Sequence, residues 1–567
     1  MAKPCLDVTF FKQQGIAIGL LFLSVIFFVL SHPGRLWPFG VFSTGFPVLA
    51  YISLVPLFLL VKYVSWRSLW LYGFLYGTGV YVFFVSWLSS FHPVSIFFVA
   101  FFYGIFSLFL FFFFRFVLFL FPSYGWLVQA LIWVAFDYLK TVGFLGFPYG
   151  ILAYTQWSVP VIIQTADIFG IWGIDFFIAY TSALLSCLIS VTFVGNSSWN
   201  KVGNIGQRLI KAVYKYKFCI LFWLFYFIFF YGYGLFSVKK YADFQNDPTT
   251  EKKTVALIQH NADPWIGGIE AFQKNLDTLT ALTDKALKNT AVDFVVWPET
   301  AFVPRIMWHF NYRSDEARFN LVTELLDYMD SKTVPFIIGN DHGEFGYNQK
   351  NKSQILDYNS ALLFIPKENT YPPDPKIYRK VKLVPFTEYF PYEKTFPWLY
   401  QILIKADTHF WEPGDDFNVF MLDDFMVGTP ICFEDTFGFV SRNLVKNGAQ
   451  ALVNLSNDAW SHSLAAQYQH VSMAVFRSVE NRVPSVRSTT SGQTCVIDCK
   501  GSIVSMTEPF QENYLVEQIP VVDKNYKTIY TRFGDYLGVL FVLISIATFL
   551  GGCVRKIVVL HNTKRGF

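Results

Sequence analysis

The six residues Thr429-Pro430-Ile431-Cys432-Phe433-Glu434, which close the apolar run Phe425–Ile431, decide how this chain is read. A cysteine where a strand turns toward a helix stands near backbone N–H groups, the setting of a nucleophile. Two earlier stretches carry complementary chemistry. Phe294-Val295-Val296-Trp297-Pro298-Glu299 ends a strand-like run on a carboxylate. Tyr378-Arg379-Lys380-Val381-Lys382-Leu383-Val384-Pro385-Phe386 carries two lysines on one side of an extended segment. In this order the three supply a base, a cation for a developing oxyanion and a nucleophile. Singly, each has an ordinary reading. Free cysteines are mostly buried filler, Glu299 suits a turn or a helix cap, and Lys380 and Lys382 suit a solvated face.

Around these motifs short apolar runs alternate with helical patterns. Strands are expected at Thr254–Gln259, Val292–Trp297, Pro335–Gly339, Ser360–Pro366, Phe425–Ile431, Ala451–Leu455 and Thr494–Asp498, and helices over Gly268–Asn289 and Arg313–Asp330. Such alternation marks an α/β or layered α-β domain, here opened by the charged linker Asp243–Lys253.

Outside that domain the composition changes. The 567 residues are 53% hydrophobic and only 15% charged, whereas a soluble chain is about 25% charged, so the chain reads as an integral membrane protein. A net charge of +4 is too small to indicate nucleic acid as a partner. Eight apolar segments, near 15–31, 46–62, 69–88, 95–120, 125–141, 172–194, 217–237 and 536–554, meet the span requirement, which is about 20 residues. Cations gather at Lys3 and Lys12, at Lys62 and Arg67, at Lys201, Arg208, Lys211 and Lys215, and at Arg555, Lys556, Lys564 and Arg565, with Arg35 the exception. Cytoplasmic loops are the ones enriched in Lys and Arg. Both termini are therefore expected in the cytoplasm, with the α-β domain outside it. The expected organisation is a membrane domain of seven transmembrane helices over 1–240, the extracytoplasmic domain over 241–530, and an eighth transmembrane helix with a short tail over 531–567. Asp137, Lys140 and Asp167 fall near span ends, where an interfacial position is expected. Cys495 and Cys499, four residues apart on one strand, lie roughly 13 Å apart, too far for a disulfide. Of the seven cysteines, Cys5 among them, none joins a cluster with metal-ligand spacing. No metal and no cofactor are expected.

Pro-Glu, Lys-x-x-Leu-Val-Pro-Phe and Ile-Cys-Phe-Glu, in this order and at these separations, resemble the nitrilase (carbon–nitrogen hydrolase) superfamily. Tyr358-Asn359-Ser360-Ala361, Pro385 to Pro391, Asn457-Asp458-Ala459-Trp460 and Gln469-His470 fit as well. With the spans added, and with Gly146-Phe147-Pro148-Tyr149-Gly150, Tyr154-Thr155-Gln156, Asp167 to Gly170 and Gly173, the whole chain resembles the apolipoprotein N-acyltransferases, a membrane-embedded family of that superfamily. The resemblance implies a polytopic α-helical membrane domain of eight spans in a bacterial inner membrane, plus an extracytoplasmic α-β-β-α sandwich on the periplasmic side.

It implies a Glu-Lys-Cys triad of Glu299, Lys380 and Cys432, with the motif spacing selecting Lys380 over Lys382. Glu388, Glu434, Asn359 and the Phe433 N–H become supporting or oxyanion groups. Trp265, Trp308, Tyr389, Trp398, Trp411 and Trp460 become lid or lipid-contact residues, with Trp398–Ile404 as a mobile lid. The implied reaction moves a fatty acyl chain from a phospholipid donor, through a thioester on Cys432, to the α-amine of a diacylglyceryl-modified lipoprotein, by a monomer. Four positions depart from the pattern: Phe433 replaces a frequent Tyr, Thr387 a usual Gly, and Ser461-His462 a Phe-Gly-type pair. Two rival readings stay open. One is a membrane-tethered amidase that ends the thioester with water; the other is a non-catalytic lipid-binding or transport protein.

Overall fold

The structure is a computed structural model and describes residues 8–36, 40–91, 93–194, 204–347, 353–405 and 409–564. Lys3, Cys5, Lys201 and Arg565 lie outside the described residues. The chain forms two compact units, one of residues 1–236 with 535–567 and one of residues 237–534.

The first unit is helical. Its main helices are Val8–Ser31, Pro47–Tyr63, Leu69–Phe84, Pro93–Leu120, Gly125–Leu139, Ile171–Ile189, the first part of Lys217–Asn246, and Tyr536–Lys564. Among the described residues, five helices are long and apolar enough to cross a membrane: Gln13–Ser31, Ser95–Leu120, Ile171–Phe193, Lys217–Asn246 and Tyr536–Val559. Pro47–Tyr63, Leu69–Phe84 and Gly125–Leu139 are apolar but have only 17, 16 and 15 residues. At 1.5 Å per residue these reach about 23–26 Å, short of a hydrocarbon core of about 30 Å. Close packing explains a glycine: a Cβ on Gly77 would stand 2.2 Å from the Tyr103 carbonyl oxygen, so only glycine lets helix Leu69–Phe84 meet Pro93–Leu120 there. A short hairpin, β1 (Gly34–Leu36) with β2 (Gly40–Phe42), and the helix Ile205–Lys215 have no counterpart in the sequence reading. The latter opens on a capping box in which Asn204 and Gln207 bond each other's backbone N–H.

Asp137, Lys140 and Asp167, expected near the interface, each have a partner within the helical unit. Lys140 Nζ lies 2.6 Å from Asp137, both side chains nearly without exposure. Tyr233 donates its hydroxyl to Asp167 at 2.7 Å. Inside an apolar bundle a charge is tolerated when a neighbour answers it.

The second unit is two six-stranded sheets with helices outside them. One sheet has β3 (Lys252–Gln259), β4 (Phe294–Val296), β5 (Phe336–Tyr347), β6 (Ser353–Phe364) and β7 (Lys376–Arg379) in sequence order, with β14 (Asn513–Pro520) beside β3. The other runs from β8 (Val419–Leu422) through β9 (Phe425–Gly428), β10 (Ala451–Ser456), β11 (Ser485–Thr489) and β12 (Cys495–Ile497) to β13 (Ile503–Met506). The neighbours β3–β4–β5 and β9–β10–β11 are parallel. Leu276, Leu279 and Leu282 of helix Ile269–Leu287, with Leu321, Leu325 and Leu326 of helix Glu316–Asp330, pack onto Ala256, Ile258, Val295, Trp297 and Ile338. The other faces of the sheets meet: the Ser488 hydroxyl of β11 lies 2.9 Å from the Ile258 carbonyl and 3.1 Å from that of Val296. Helices Gly438–Lys446 and Leu464–Asn481 belong to the second sheet's side.

The expected helix Arg313–Asp330 is present but begins only at Glu316. Arg313 takes φ +50° after helix Ile306–Tyr312, and Asp315 then caps Glu316–Asp330. The expected strand Phe425–Ile431 stops at Gly428, because Pro430 has no N–H for the ladder. Ile431 regains only a bridge to Leu455.

Candidate active site

Glu299 follows the end of β4, where Pro298 breaks the ladder and turns the chain. Room for that turn comes from Gly339 on β5, whose Cβ would stand 2.4 Å from the Pro298 carbonyl. The carboxylate is buried and held at both oxygens. Oε1 accepts from Lys380 Nζ at 3.0 Å and from Asn359 Nδ2 at 2.8 Å. Oε2 accepts the Asn457 N–H at 2.9 Å. Asn359, on β6, therefore orients the carboxylate.

Lys380 lies just beyond β7 and is fully buried. Its ammonium sits between Glu299 at 3.0 Å and Glu388 at 2.8 Å. Burial alone would lower its pKa, but the two carboxylates reverse this and hold it well above the ordinary lysine value. The group is a fixed cation. Glu388 is tied in turn by the Val384 N–H at 2.8 Å, and burial raises its pKa against the opposing pull of Lys380. Lys382 has a different environment: its ammonium lies 5.0 Å from the Phe437 ring centre, and burial lowers its pKa to about 8. The two lysines of one motif thus do different work.

Cys432 opens the 3₁₀ turn Cys432–Thr436 with φ +49°, a left-handed conformation that a residue with a side chain adopts only under constraint. The constraint is Glu434, whose four acceptor positions are filled. Oε1 takes the N–H groups of Val381 at 2.6 Å and Lys382 at 2.9 Å. Oε2 takes the Ile431 N–H at 2.8 Å and the Tyr378 hydroxyl at 2.9 Å. One carboxylate thus joins the cysteine loop to the lysine loop. Burial lifts it to about 7 even so. The thiol of Cys432 is pushed up to about 12, first by burial and then by the Glu299 charge, with Lys380 acting the other way. Both charges therefore reach the sulfur, and burial favours its neutral thiol form.

Behind the cysteine lies a buried charge cluster. His470, on helix Leu464–Asn481, presents Nε2 to Asp435 at 2.7 Å and to the Cys432 carbonyl at 3.2 Å. Its Nδ1 meets Asp458 at 3.0 Å. Arg487 of β11 pairs with Asp435 and lies 3.7 Å from Asp458. The sequence reading passes over Asp435 and Arg487 and uses His470 and Asp458 only as motif matches. The available signal was Arg487 inside Ser485–Thr489, a run otherwise typical of a strand, where a cation is buried only with a counter-charge.

The aromatic candidates divide. Trp265 and Trp398 are 62% and 63% exposed. Trp308 packs on Tyr312 and Phe345. Trp411 stacks edge-on against His409 and ties to the centre through its backbone N–H, which donates to the backbone carbonyl of Glu388 at 2.9 Å. Tyr389 and Trp460 are half-buried. Helix Pro397–Lys405 carries the expected lid residues and has no buried residue.

Comparison with known proteins adds the following. A family model described as carbon-nitrogen hydrolase matches residues 254–524, and one described as apolipoprotein N-acyltransferase N-terminal domain matches residues 33–184. Apolipoprotein N-acyltransferase 1 of Treponema denticola is 43% identical over 93% of this chain and 94% of its own. Apolipoprotein N-acyltransferase 1 of Treponema pallidum is 42% identical over 94% of this chain and 95% of its own. Among solved structures, a mutant of the Nesterenkonia AN1 amidase from the nitrilase superfamily aligns at 16% identity with a TM-score of 0.34, covering 48% of this chain and 92% of that one.

Proposed function

Because this chain belongs to the apolipoprotein N-acyltransferase family and is a membrane acyltransferase of lipoprotein maturation, we propose that the acyl group passes through the sulfur of Cys432, with Glu299 as base and Lys380 as oxyanion cation. The observation that carries this reading is Lys380, a fully buried ammonium held between Glu299 and Glu388, with the charges of Glu299 and Lys380 both acting on the Cys432 thiol.

Cys432 Sγ attacks the ester carbonyl of a phospholipid while its proton passes to Glu299. Oε2 of Glu299 accepts a single backbone N–H and so keeps a lone pair for that proton. Charge collects on the carbonyl oxygen, where Lys380 and the Phe433 N–H stabilise it. The ester C–O bond breaks, Glu299 returns the proton to the departing oxygen, and lysophospholipid leaves a thioester. The lipoprotein amine then attacks the thioester carbon and gives its proton to Glu299. The C–S bond breaks and the thiol is restored. A neutral resting thiol suits this order, because the sulfur gains nucleophilicity only beside its base.

Asn359 positions the base, Glu388 the lysine, and Glu434 the two loops. Domain limits of 1–240, 241–530 and 531–567, eight spans, cytoplasmic termini, a periplasmic catalytic domain and a monomer remain part of the proposal. Phe396, Trp398, Ile402 and Ile404, 42–63% exposed, would enter the lipid interface and form the lid. Trp265, Trp308, Tyr389, Trp411 and Trp460 would line the acyl path.

The test follows one acyl chain. The purified protein is given phospholipid with a labelled acyl group, and then either a diacylglyceryl-cysteine peptide or buffer. Label on the peptide amine is expected, with little free fatty acid. Release to water at an equal rate would favour the amidase-like alternative, and no label on the protein would remove the thioester.

A further inference from the structure

The reading of the Phe433 N–H as an oxyanion donor has a structural corollary, since an N–H can be aimed from its far side. Cys432 C=O and Phe433 N–H belong to one peptide unit, which is planar and trans, so they point in opposite directions. Whatever grips the carbonyl fixes the direction of the N–H. Two groups grip it: His470 Nε2 at 3.2 Å and Asn454 Nδ2 at 3.4 Å. The Phe433 N–H itself lies in the first turn of a 3₁₀ segment, where helical N–H groups lack an acceptor within the turn.

We propose that His470 is a positioning residue for acyl transfer: as an imidazolium clamped between Asp435 and Asp458, it holds the Cys432 carbonyl so that the Phe433 N–H faces the oxyanion. This rests on the proposed Cys432 thioester chemistry. An imidazolium donates at both nitrogens, as the contacts to Asp458 on Nδ1 and to Asp435 and Cys432 on Nε2 require. Burial would lower its pKa, but the Asp458 carboxylate overcomes this and raises it to about 9. A charged donor on the carbonyl also polarises the peptide and strengthens the opposite N–H.

Charge balance separates this role from simple activation of the sulfur. His470 and Arg487 carry two positive charges against Asp435 and Asp458, so the cluster as a whole adds little field at Cys432. Its effect is therefore mainly geometric. It also fits the left-handed Cys432, since a strained turn persists only where its surroundings over-determine it.

The experiment compares two reactions of the same sulfur in the full-length protein. Acylation by a mixture of phosphatidylethanolamine and phosphatidylglycerol passes through an oxyanion; alkylation by iodoacetamide does not. His470→Ala is expected to lower the acylation rate constant about a hundredfold, with donor KM unchanged and alkylation reduced at least tenfold less. His470→Gln, which can still donate to the carbonyl, is expected to recover acylation to within about tenfold of wild type and guards against misfolding of the alanine variant. Parallel loss of both reactions, in the presence of wild-type thermal stability, would overturn the positioning role. So would unchanged acylation in His470→Ala, or no recovery in a folded His470→Gln. Failure of the wild-type enzyme to form any Cys432 thioester would instead reject the underlying mechanism.

Discussion

The proposed catalytic centre and the helix Pro397–Lys405 lie close in sequence and are built in opposite ways. In the centre Glu434 accepts four donors, and Lys380 is fully buried between two carboxylates. The helix buries none of its residues and shows Trp398 and Ile402 more than half exposed. The difference teaches what each part must do. Stabilising a short-lived charge needs dipoles fixed before the reaction. Meeting a lipid chain needs apolar surface not yet committed to a core.

The comparison breaks most sharply at Lys380. Lys380→Met should reduce Cys432 acylation by about a thousandfold or more, because it removes a fixed cation and leaves Glu299 and Glu388 facing each other. Single-turnover acylation from labelled phospholipid measures it. A loss under tenfold would mean that the centre does not depend on that cation.

Next comes the knot. Glu434→Gln turns an amide toward backbone N–H groups that now bond a carboxylate. The expected cost is about 3 kcal/mol of stability, with a large loss of acylation as the two loops separate. A thermal or denaturant midpoint unchanged from wild type would show that Glu434 does not join the loops.

These two residues also show what was legible in the sequence. Glu299, Lys380 and Cys432 each sit in a local motif with a typical spacing, and the strands before Glu299 and Cys432 are short apolar runs that announce themselves. Glu434 is visible beside Cys432, but its four donors come from Tyr378, Ile431, Val381 and Lys382, and only the fold assembles that set. The Asp435–His470–Asp458–Arg487 cluster draws on four separate segments, so no spacing rule reaches it. Strand β11 was missed because Arg487 and two serines interrupt its short β-branched run, although all five residues are buried. At a span end, Asp137 and Lys140 are visible as two opposite charges three residues apart, and the fold joins them at 2.6 Å.

A pH experiment sharpens the contrast at the sulfur. With the thiol near 12, the thiolate fraction should rise about tenfold per pH unit well below that value. Iodoacetamide alkylation of the resting enzyme should therefore climb steadily between pH 6 and about pH 9. A plateau near neutrality would reveal a preformed thiolate and remove the need for Glu299 as base.

The smallest effect belongs to the exposed helix. Replacing Trp398, Ile402 and Ile404 together with alanine should leave folding stability within about 0.5 kcal/mol, as for exposed sites generally. Phospholipid KM should rise severalfold, while reaction with a short-chain water-soluble ester stays unchanged. Equal losses on both substrates would place the helix with the chemistry; no change on either would leave it out of lipid capture.

The most direct measurement is the mass of the Cys432 peptide after the enzyme meets phospholipid without an acceptor. The account predicts the added mass of one fatty acyl chain on that peptide, removed by neutral hydroxylamine, discharged onto a diacylglyceryl-cysteine peptide, and absent from Cys432→Ala. An unmodified Cys432 peptide in enzyme that still acylates the acceptor would contradict it.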